Sequence, residues 1–187
     1  MSVEVIIPPA DIDLLDAAKD HLRVTWSEDD DYIRRLLKAA VRWLDGPSGY
    51  LGRCVLEQTL EASFDGFRAD PMIWLPYPPF ISIVSIKYDG ADGTEATLDP
   101  DLYGLKKERG VYMRGGQRWL GARCGIGSVR IQYVAGYADG IPDPIQQAIM
   151  MLVAHWYAVR EPVSDKPMSE VPLTLDDLLS QYVVPTI

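Results

Sequence analysis

The stretch IPDPIQQAIMMLVAHWY, Ile141–Tyr157, decides the fold class, because it is typical of one helix that is apolar on almost all sides. Pro142 and Pro144 suit a first helical turn, where a missing N–H costs little. In the second half of the stretch His155 is the only clearly polar residue, whereas a surface helix keeps a polar face. We therefore expect a helix over 142–160 that other elements cover on nearly every side.

Two shorter helical segments precede it, and together they predict helices within about 13–45. The segment Asp13–Leu22 opens with a carboxylate followed three residues later by another, which resembles a capping box. The segment Ser27–Leu44 begins with a good N-cap residue and carries apolar residues at helical spacing. Gly46 and Pro47 then supply a stop, because glycine can cap a helix and proline cannot continue one.

Between these helices and the long one, from about 55 to 137, the hydrophobic period changes from 3.6 to 2. The segments are rich in β-branched and aromatic residues and are bounded by Gly, Pro and Asp turns, which predicts five or six antiparallel strands. The sequence thus predicts an α+β fold, with two N-terminal helices and a long C-terminal helix as a helical group and a small antiparallel β domain inserted in it. We expect residues 1–163 to form this domain and residues 164–187 to form a proline-rich tail with a short helix.

Charge is unevenly distributed along this acidic chain. The formal net charge is -9, which disfavours wrapping of nucleic acid by the surface as a whole. The segment Tyr103–Tyr137 nevertheless holds seven cations against Glu108 alone. Either these cations are solvated in a loop, or they form a site for an acidic partner. Because Tyr112 and Trp119 lie among them, nucleic-acid binding is a minor third possibility.

The sequence predicts no catalytic, cofactor or metal site. None of the phosphate-loop, dinucleotide, zinc-protease or serine-hydrolase motifs occurs. We expect His21 to favour the end of a helix dipole and His155 to be a hydrogen-bonded packing residue. The run Glu28–Asp31 fits helix-start electrostatics better than cation binding. Cys54 and Cys124 match neither a zinc spacing nor a disulfide framework, so we expect reduced thiols.

Neither membrane insertion nor secretion is predicted. The longest apolar run of the long helix, Ala148–Ala154, is seven residues, against about 18 or more needed to cross a bilayer. The N-terminus has no basic region followed by an apolar one, so we expect no secretion signal and a cytoplasmic origin.

Four aromatic residues of the β block offer an alternative function. Trp74, Tyr77, Phe80 and Tyr88 could form a flat platform for a sugar or a peptide, although core and turn packing explains them as well. On the platform interpretation the chain is a monomeric binding module for a carbohydrate or protein ligand. A third function, a hydrolase acting on cell wall or nucleic acid, would need clustered acid, base or metal groups that the sequence does not show.

Three stretches together resemble the head–tail connector, or neck adaptor, proteins of tailed bacteriophages, prophages and gene-transfer elements. They are LDAAKDHLRV, the pair GYLGRCVLEQTLEASFDGF and IWLPYPPFISIVSIKY, and VRIQYVAGYADGIPDPIQQAIMMLVAHWYAVRE. The resemblance implies a non-enzymatic virion protein of the neck, assembled in the host cytoplasm as a ring of about a dozen copies beneath the portal. Such a ring extends the DNA channel without reading DNA sequence and docks the next neck or tail protein.

Ring formation would require two different contact patches on each subunit. From the apolar helix we predict a subunit interface formed by Met150, Met151, Ala154 and Trp156. Partner docking is predicted for Lys106, Lys107 and Arg109 in the basic segment and for Leu178, Leu179 and Tyr182 in the tail. The tail helix, being short, could equally dock on its own subunit.

Overall fold

The computed structural model describes residues 1–67, 70–119, 121–159 and 173–184, which contain four α-helices and eight β-strands. The α+β class is therefore confirmed. Two compact units are present: a β unit (Met1–Ala10 with Arg53–Asp139) and a helical unit (Asp11–Gly52 with Gly140–Ile187). The strands are β1 (Ser2–Ile7), β2 (Gln58–Phe64), β3 (Met72–Trp74), β4 (Phe80–Asp89), β5 (Glu95–Thr97), β6 (Tyr103–Lys106), β7 (Gly110–Met113) and β8 (Val129–Ala135).

Two antiparallel sheets make up the β unit. The five-stranded sheet has the order β1-β2-β8-β4-β5, and the three-stranded sheet has the order β3-β7-β6. Strand β8 lies at the centre of the larger sheet and alternates buried residues with half-buried ones along its length. This alternation is the period of two that the sequence shows for the segment, since successive strand residues point to opposite faces.

The core of the β unit is formed by residues from both sheets. Within it the Tyr133 ring meets Phe80 edge to face, with 5.5 Å between ring centroids, and its hydroxyl donates a hydrogen bond of 2.8 Å to the carbonyl of Pro76. Burial raises the pKa of Tyr133 far above its ordinary value, so this hydroxyl remains protonated and keeps its donor. The larger buried side chains are Leu60, Ile73, Leu75, Phe80, Ile86, Leu98, Tyr103, Val111, Met113, Val129, Ile131 and Tyr133.

The helical unit contains α1 (Leu15–Leu22), α2 (Asp30–Leu44), α3 (Asp143–Ala158) and α4 (Leu173–Leu179). Helix α3 packs against all three of the others. This explains its composition, because a helix surrounded by neighbours needs apolar residues on several sides. Its buried residues are Ile145, Ala148, Ile149, Met150, Leu152 and Val153, facing side chains that include Ile33, Leu37, Leu44, Leu175 and Leu179 in the same core.

Helix ends differ from the sequence prediction by one to three residues. Helix α1 begins at Leu15, because Asp13 stays outside it and accepts a hydrogen bond of 3.2 Å from the Leu15 N–H. Helix α2 begins at Asp30 rather than at Ser27. Helix α3 ends at Ala158, and residue 160 lies outside the described residues. The predicted stop at Gly46 is confirmed by its left-handed φ of 74°.

Two strands lie where the sequence prediction placed none. Strand β1 pairs with β2 at the edge of the larger sheet, so the chain begins with a strand rather than with a helix. Strand β7 is the centre of the smaller sheet, although its four residues fall within the basic segment that was interpreted as a loop. Both are hard to predict locally: β1 is exposed along most of its length, and β7 is too short for a period of two to stand out.

Candidate interaction surfaces

The α3 strip is the side of the long helix that remains accessible. It consists of Gln147, Met151, Ala154, His155 and Ala158, whose spacing of three and four residues places them on one side of the helix. Met151 and Ala154 are half-buried, and the other three are exposed. Apart from its glutamine and histidine, the strip is apolar, and its two alanines have short side chains. Such a surface suits the close approach of another helix.

The remaining predicted interface residues of α3 lie elsewhere. Met150 is 5% exposed and belongs to the core of the helical unit, so it offers no surface in this conformation. Trp156 is half-buried. The packing role predicted for His155 is wrong, because its side chain is exposed on the strip. The sequence predicts that α3 is apolar, but its helical period does not predict on which side of the helix its neighbours lie.

The predicted docking cations lie on the β6–β7 hairpin. Its turn is closed by a 3.0 Å hydrogen bond from the Arg109 N–H to the Lys106 carbonyl. Lys106, Lys107 and Arg109 are all exposed there. The basic segment is thus not a solvated loop over its whole length, because two of its strands form a sheet that holds these cations in place.

Aromatic rings lie beneath two of these cations. In the register of the smaller sheet Trp74 and Lys106 both lie opposite Gly110, while Tyr112 lies opposite Gly104, so the three side chains share the outer face. The Arg109 guanidinium lies 5.5 Å from the centroid of Trp74, and the Lys106 ammonium lies 5.6 Å from that of Tyr112. We call Trp74, Lys106, Lys107, Arg109 and Tyr112 the cationic face.

A glycine gives this face its flatness. A Cβ placed on Gly104 would come within 2.6 Å of the Tyr112 ring, so the ring lies directly across the backbone of β6. Trp74 remains 55% exposed in spite of its guanidinium cover. The two cation–aromatic pairs therefore form a preorganised surface that presents positive charge beside aromatic rings.

Arg130, another cation of the basic segment, is paired within the β unit. It bonds Asp89 at 2.7 Å and Glu95 at 2.9 Å. Lys87 and then Arg130 hold the pKa of Glu95 below its ordinary value by hydrogen bonding to its ionised form. Glu108, the carboxylate of the hairpin turn, lies 3.9 Å from Arg53. Arg130 and Glu108 are therefore engaged within the β unit, whereas the cations of the cationic face are exposed.

Most of the other aromatic residues considered as binding residues in the sequence lie outside the cationic face. Trp119 is buried and stacks on Phe67 with 5.2 Å between centroids, so it offers no exposed ring for the minor possibility of nucleic-acid binding. Phe80 belongs to the core, and Tyr77 and Tyr88 are half-buried. The alternative platform of four aromatics is therefore not formed, and Trp74 is its exposed member.

The tail helix packs on its own unit. Leu175 and Leu179 are buried to 1% and 0% exposure in the core of the helical unit. The Tyr50 hydroxyl donates a hydrogen bond of 2.8 Å to Asp176. After the helix, the Val184 N–H donates a 2.9 Å bond to the carbonyl of Leu51.

Two of the predicted tail docking residues keep some accessible surface. Leu178 and Tyr182 are half-buried, whereas Leu179 is fully enclosed by its own unit. A partner that touched the docked tail would therefore meet Leu178 and Tyr182.

The acidic run before α2 is engaged in local contacts. Asp29 accepts hydrogen bonds from Trp26 at 2.9 Å and from Tyr157 at 2.6 Å. Asp30 pairs with Lys19 at 2.6 Å. Within the described part of the chain, no group of three or more His, Cys, Asp or Glu side chains could hold a metal ion, and no helix is long and apolar enough to cross a membrane.

Comparison with solved structures gives the fold a precedent over the whole chain. The chain resembles a chain in the neck of an empty gene transfer agent (GTA) particle, computed with C6 symmetry, at 18% identity and a TM-score of 0.75. The match covers 100% of this chain and 97% of the other. This protein has the fold of a chain from a GTA neck.

Two further structures agree. A chain in the virion of a native GTA particle matches with a TM-score of 0.75, and one in the neck of a native GTA particle, computed with C12 symmetry, matches with 0.74. Both are 18% identical, with the same coverage of the two chains. The sequence matches no protein-family model, and a search of curated proteins finds no relative. The expected likeness to gene-transfer-element neck proteins is thus confirmed at the level of the fold.

Proposed function

We propose that this chain is a structural, non-enzymatic neck protein of a phage-like particle, which forms a ring beneath the portal. The observation that carries the proposal is the match to neck chains across all of this chain and 97% of theirs. Full coverage matters, because the helical unit and the β unit are both matched in one chain. The C6 and C12 symmetries of the matched necks support a closed ring, with about a dozen copies as the expected number.

The apolar surface of the α3 strip is a second argument for a ring. A closed ring uses heterologous contacts, so each subunit must present two different patches. Met151, Ala154 and Ala158 form an apolar track on a helix whose other sides already pack within the unit. Methionine adapts to an imperfectly matched surface, which suits a contact repeated around a ring. We therefore assign the strip to the subunit interface.

The rest of the function follows from a ring in the neck. DNA would pass through the ring without base-specific contacts, and one rim would meet the portal while the other meets the next neck or tail protein. The protein would be assembled in the cytoplasm of a bacterial host and end in the virion. No cofactor is needed for this role.

Electron microscopy tests the ring directly. Negatively stained samples of the purified protein, alone and after mixing with its portal, should show rings. A chain that remains a monomer in both samples, by light scattering as well as by imaging, would contradict the proposal and favour a monomeric binding module centred on Trp74.

Charge placed on the strip tests the interface. Met151→Glu and Ala154→Glu should abolish rings and leave the circular dichroism spectrum and melting temperature within a few degrees of the wild type, because both positions are partly accessible. Ala39→Glu, at an exposed position of α2, is the matched control and should assemble normally. Normal rings from both strip variants would exclude the strip from the interface.

A further inference from the structure

We infer that the cationic face of one copy binds the acidic side of helix α1 in the next copy of this chain. This inference rests on the proposed ring and names a second contact in it. The cationic face lies on the β unit and the acidic side lies on the helical unit, so the contact is heterologous, as a ring requires.

The cationic face has the chemistry of a protein-binding surface. Trp74 is 55% exposed, and the Arg109 guanidinium lies over its ring, 5.5 Å from the centroid. A guanidinium is planar and can bind a carboxylate with two parallel hydrogen bonds while it lies beside an aromatic ring. Tryptophan, tyrosine and arginine are also the residues that most often dominate the energy of protein interfaces.

Charges on this face have no carboxylate partner among the residues that the structure describes. In the described ranges no ion pair or hydrogen bond joins Lys106, Lys107 or Arg109 to an acidic side chain, and the nearby Glu108 lies against Arg53. Three exposed cations on one hairpin repel one another, and a partner carboxylate would relieve this repulsion.

Helix α1 carries the complementary pattern. Asp16 and Asp20 are exposed and four residues apart, so they lie along one side of the helix, and the exposed Asp13 lies just before its first turn. Asp13 bonds only a backbone N–H, and neither Asp16 nor Asp20 pairs with a cation in the part of the chain that the structure describes. Like charges four residues apart destabilise a helix slightly, which again favours an external cation.

A second copy fits better than DNA as the partner. The net charge of -9 repels a nucleic acid and a second copy alike at long range, so the choice rests on local complementarity, and the exposed carboxylates of α1 are present in every copy. A cation also lies over the ring of Trp74 and another over that of Tyr112, while base stacking would need free ring faces.

Two charge-reversed variants test the contact as a complementary pair. The first, the cation variant, is Lys106→Glu with Arg109→Glu. The second, the acid variant, is Asp16→Lys with Asp20→Lys. Each variant alone faces like charge across the interface, so its half-assembly concentration should rise about tenfold or more. An equimolar mixture should assemble again, because alternating copies restore opposite charges at every contact. Arg114→Glu with Arg118→Glu is the control, since it changes the charge equally at exposed positions outside the cationic face.

Analytical ultracentrifugation and native mass spectrometry supply the readout, with melting temperature as the folding check. Mixed rings that alternate the two variants, with each variant alone remaining monomeric, are the expected result. The contact would be overturned if both folded variants assembled singly as well as the wild type, or if they failed to assemble when mixed. Either result would leave the wild-type rings, and hence the proposed function, unaffected. If the wild type and the acid variant bound a fluorescent DNA duplex at physiological salt and the cation variant did not, the contact would be overturned in favour of DNA binding. A wild-type chain that forms no ring at any concentration or with its portal would instead overturn the proposed function.

Discussion

Replacing Leu179 or Leu175 by alanine should release helix α4 from the helical unit before it unfolds the rest. Both side chains are buried, to 0% and 1% exposure, and α4 is only seven residues long. An isolated helix of that length has little stability of its own. Its order therefore depends on the two leucines and on the bonds that flank them, Tyr50 to Asp176 and Val184 to Leu51.

The size of the effect follows from burial. Truncating a fully buried leucine to alanine costs about 2–5 kcal/mol, through lost transfer energy and the cavity that remains. If both losses were added, the total of about 4–10 kcal/mol would rival the whole stability of a typical domain. The docking energy of so short a helix is smaller than that sum. The double variant should thus lose clearly less than the two single losses together, because α4 detaches and no further contact remains to be lost.

Hydrogen–deuterium exchange and urea unfolding measure the two parts of this prediction. Peptides that cover residues 173–184 should exchange faster in either single variant, while peptides from α2 and α3 keep their protection. Leu178→Ala is the matched control, since Leu178 is half-buried in the same helix and should cost about 1 kcal/mol or less. Additive losses with α4 as protected as α3 would refute the reasoning and show one cooperative unit. Losses below about 0.5 kcal/mol for both leucines would show instead that the tail contributes nothing to its own unit.

Three further predictions concern the β unit. Tyr133→Phe should lower the free energy of unfolding by about 1 kcal/mol, because the carbonyl of Pro76 loses the hydrogen bond from the buried hydroxyl; an unchanged urea midpoint would argue against that bond. Ellman's reagent should modify the exposed Cys124 in the native protein and the buried Cys54 only after unfolding, so two fast thiols would contradict the assigned burial. Because the pKa of Glu95 is lowered in the folded state, its ion pairs stabilise the fold above its unfolded pKa and are lost as pH falls through its folded pKa. The urea midpoint of Glu95→Gln should therefore drop less between neutral and acid pH than that of the wild type. Equal drops would be inconsistent with this linkage.

Local sequence patterns were sufficient to predict those helices and strands in which apolar residues recur at a regular spacing. Helix α2 could be predicted from its apolar spacing and its stop at Gly46, and the central strand β8 from its period of two. The composition of the stretch after Pro142 also predicted correctly that α3 would be covered by several neighbours. In each case the information lies within a few residues, where backbone geometry alone sets which side chains share a face.

Tertiary structure alone decided which of these faces stay open and which side chains meet. Strand β7 is the centre of its sheet because β3, from a distant part of the sequence, pairs with it on the side opposite its hairpin neighbour β6, and the pairing with β3 brings Trp74 beneath Arg109. Met150 and Met151 are adjacent and chemically identical, yet one is buried and the other lies on the α3 strip. The physical reason is that periodicity fixes the direction of a side chain relative to its own element, whereas burial depends on which distant segments pack on that side.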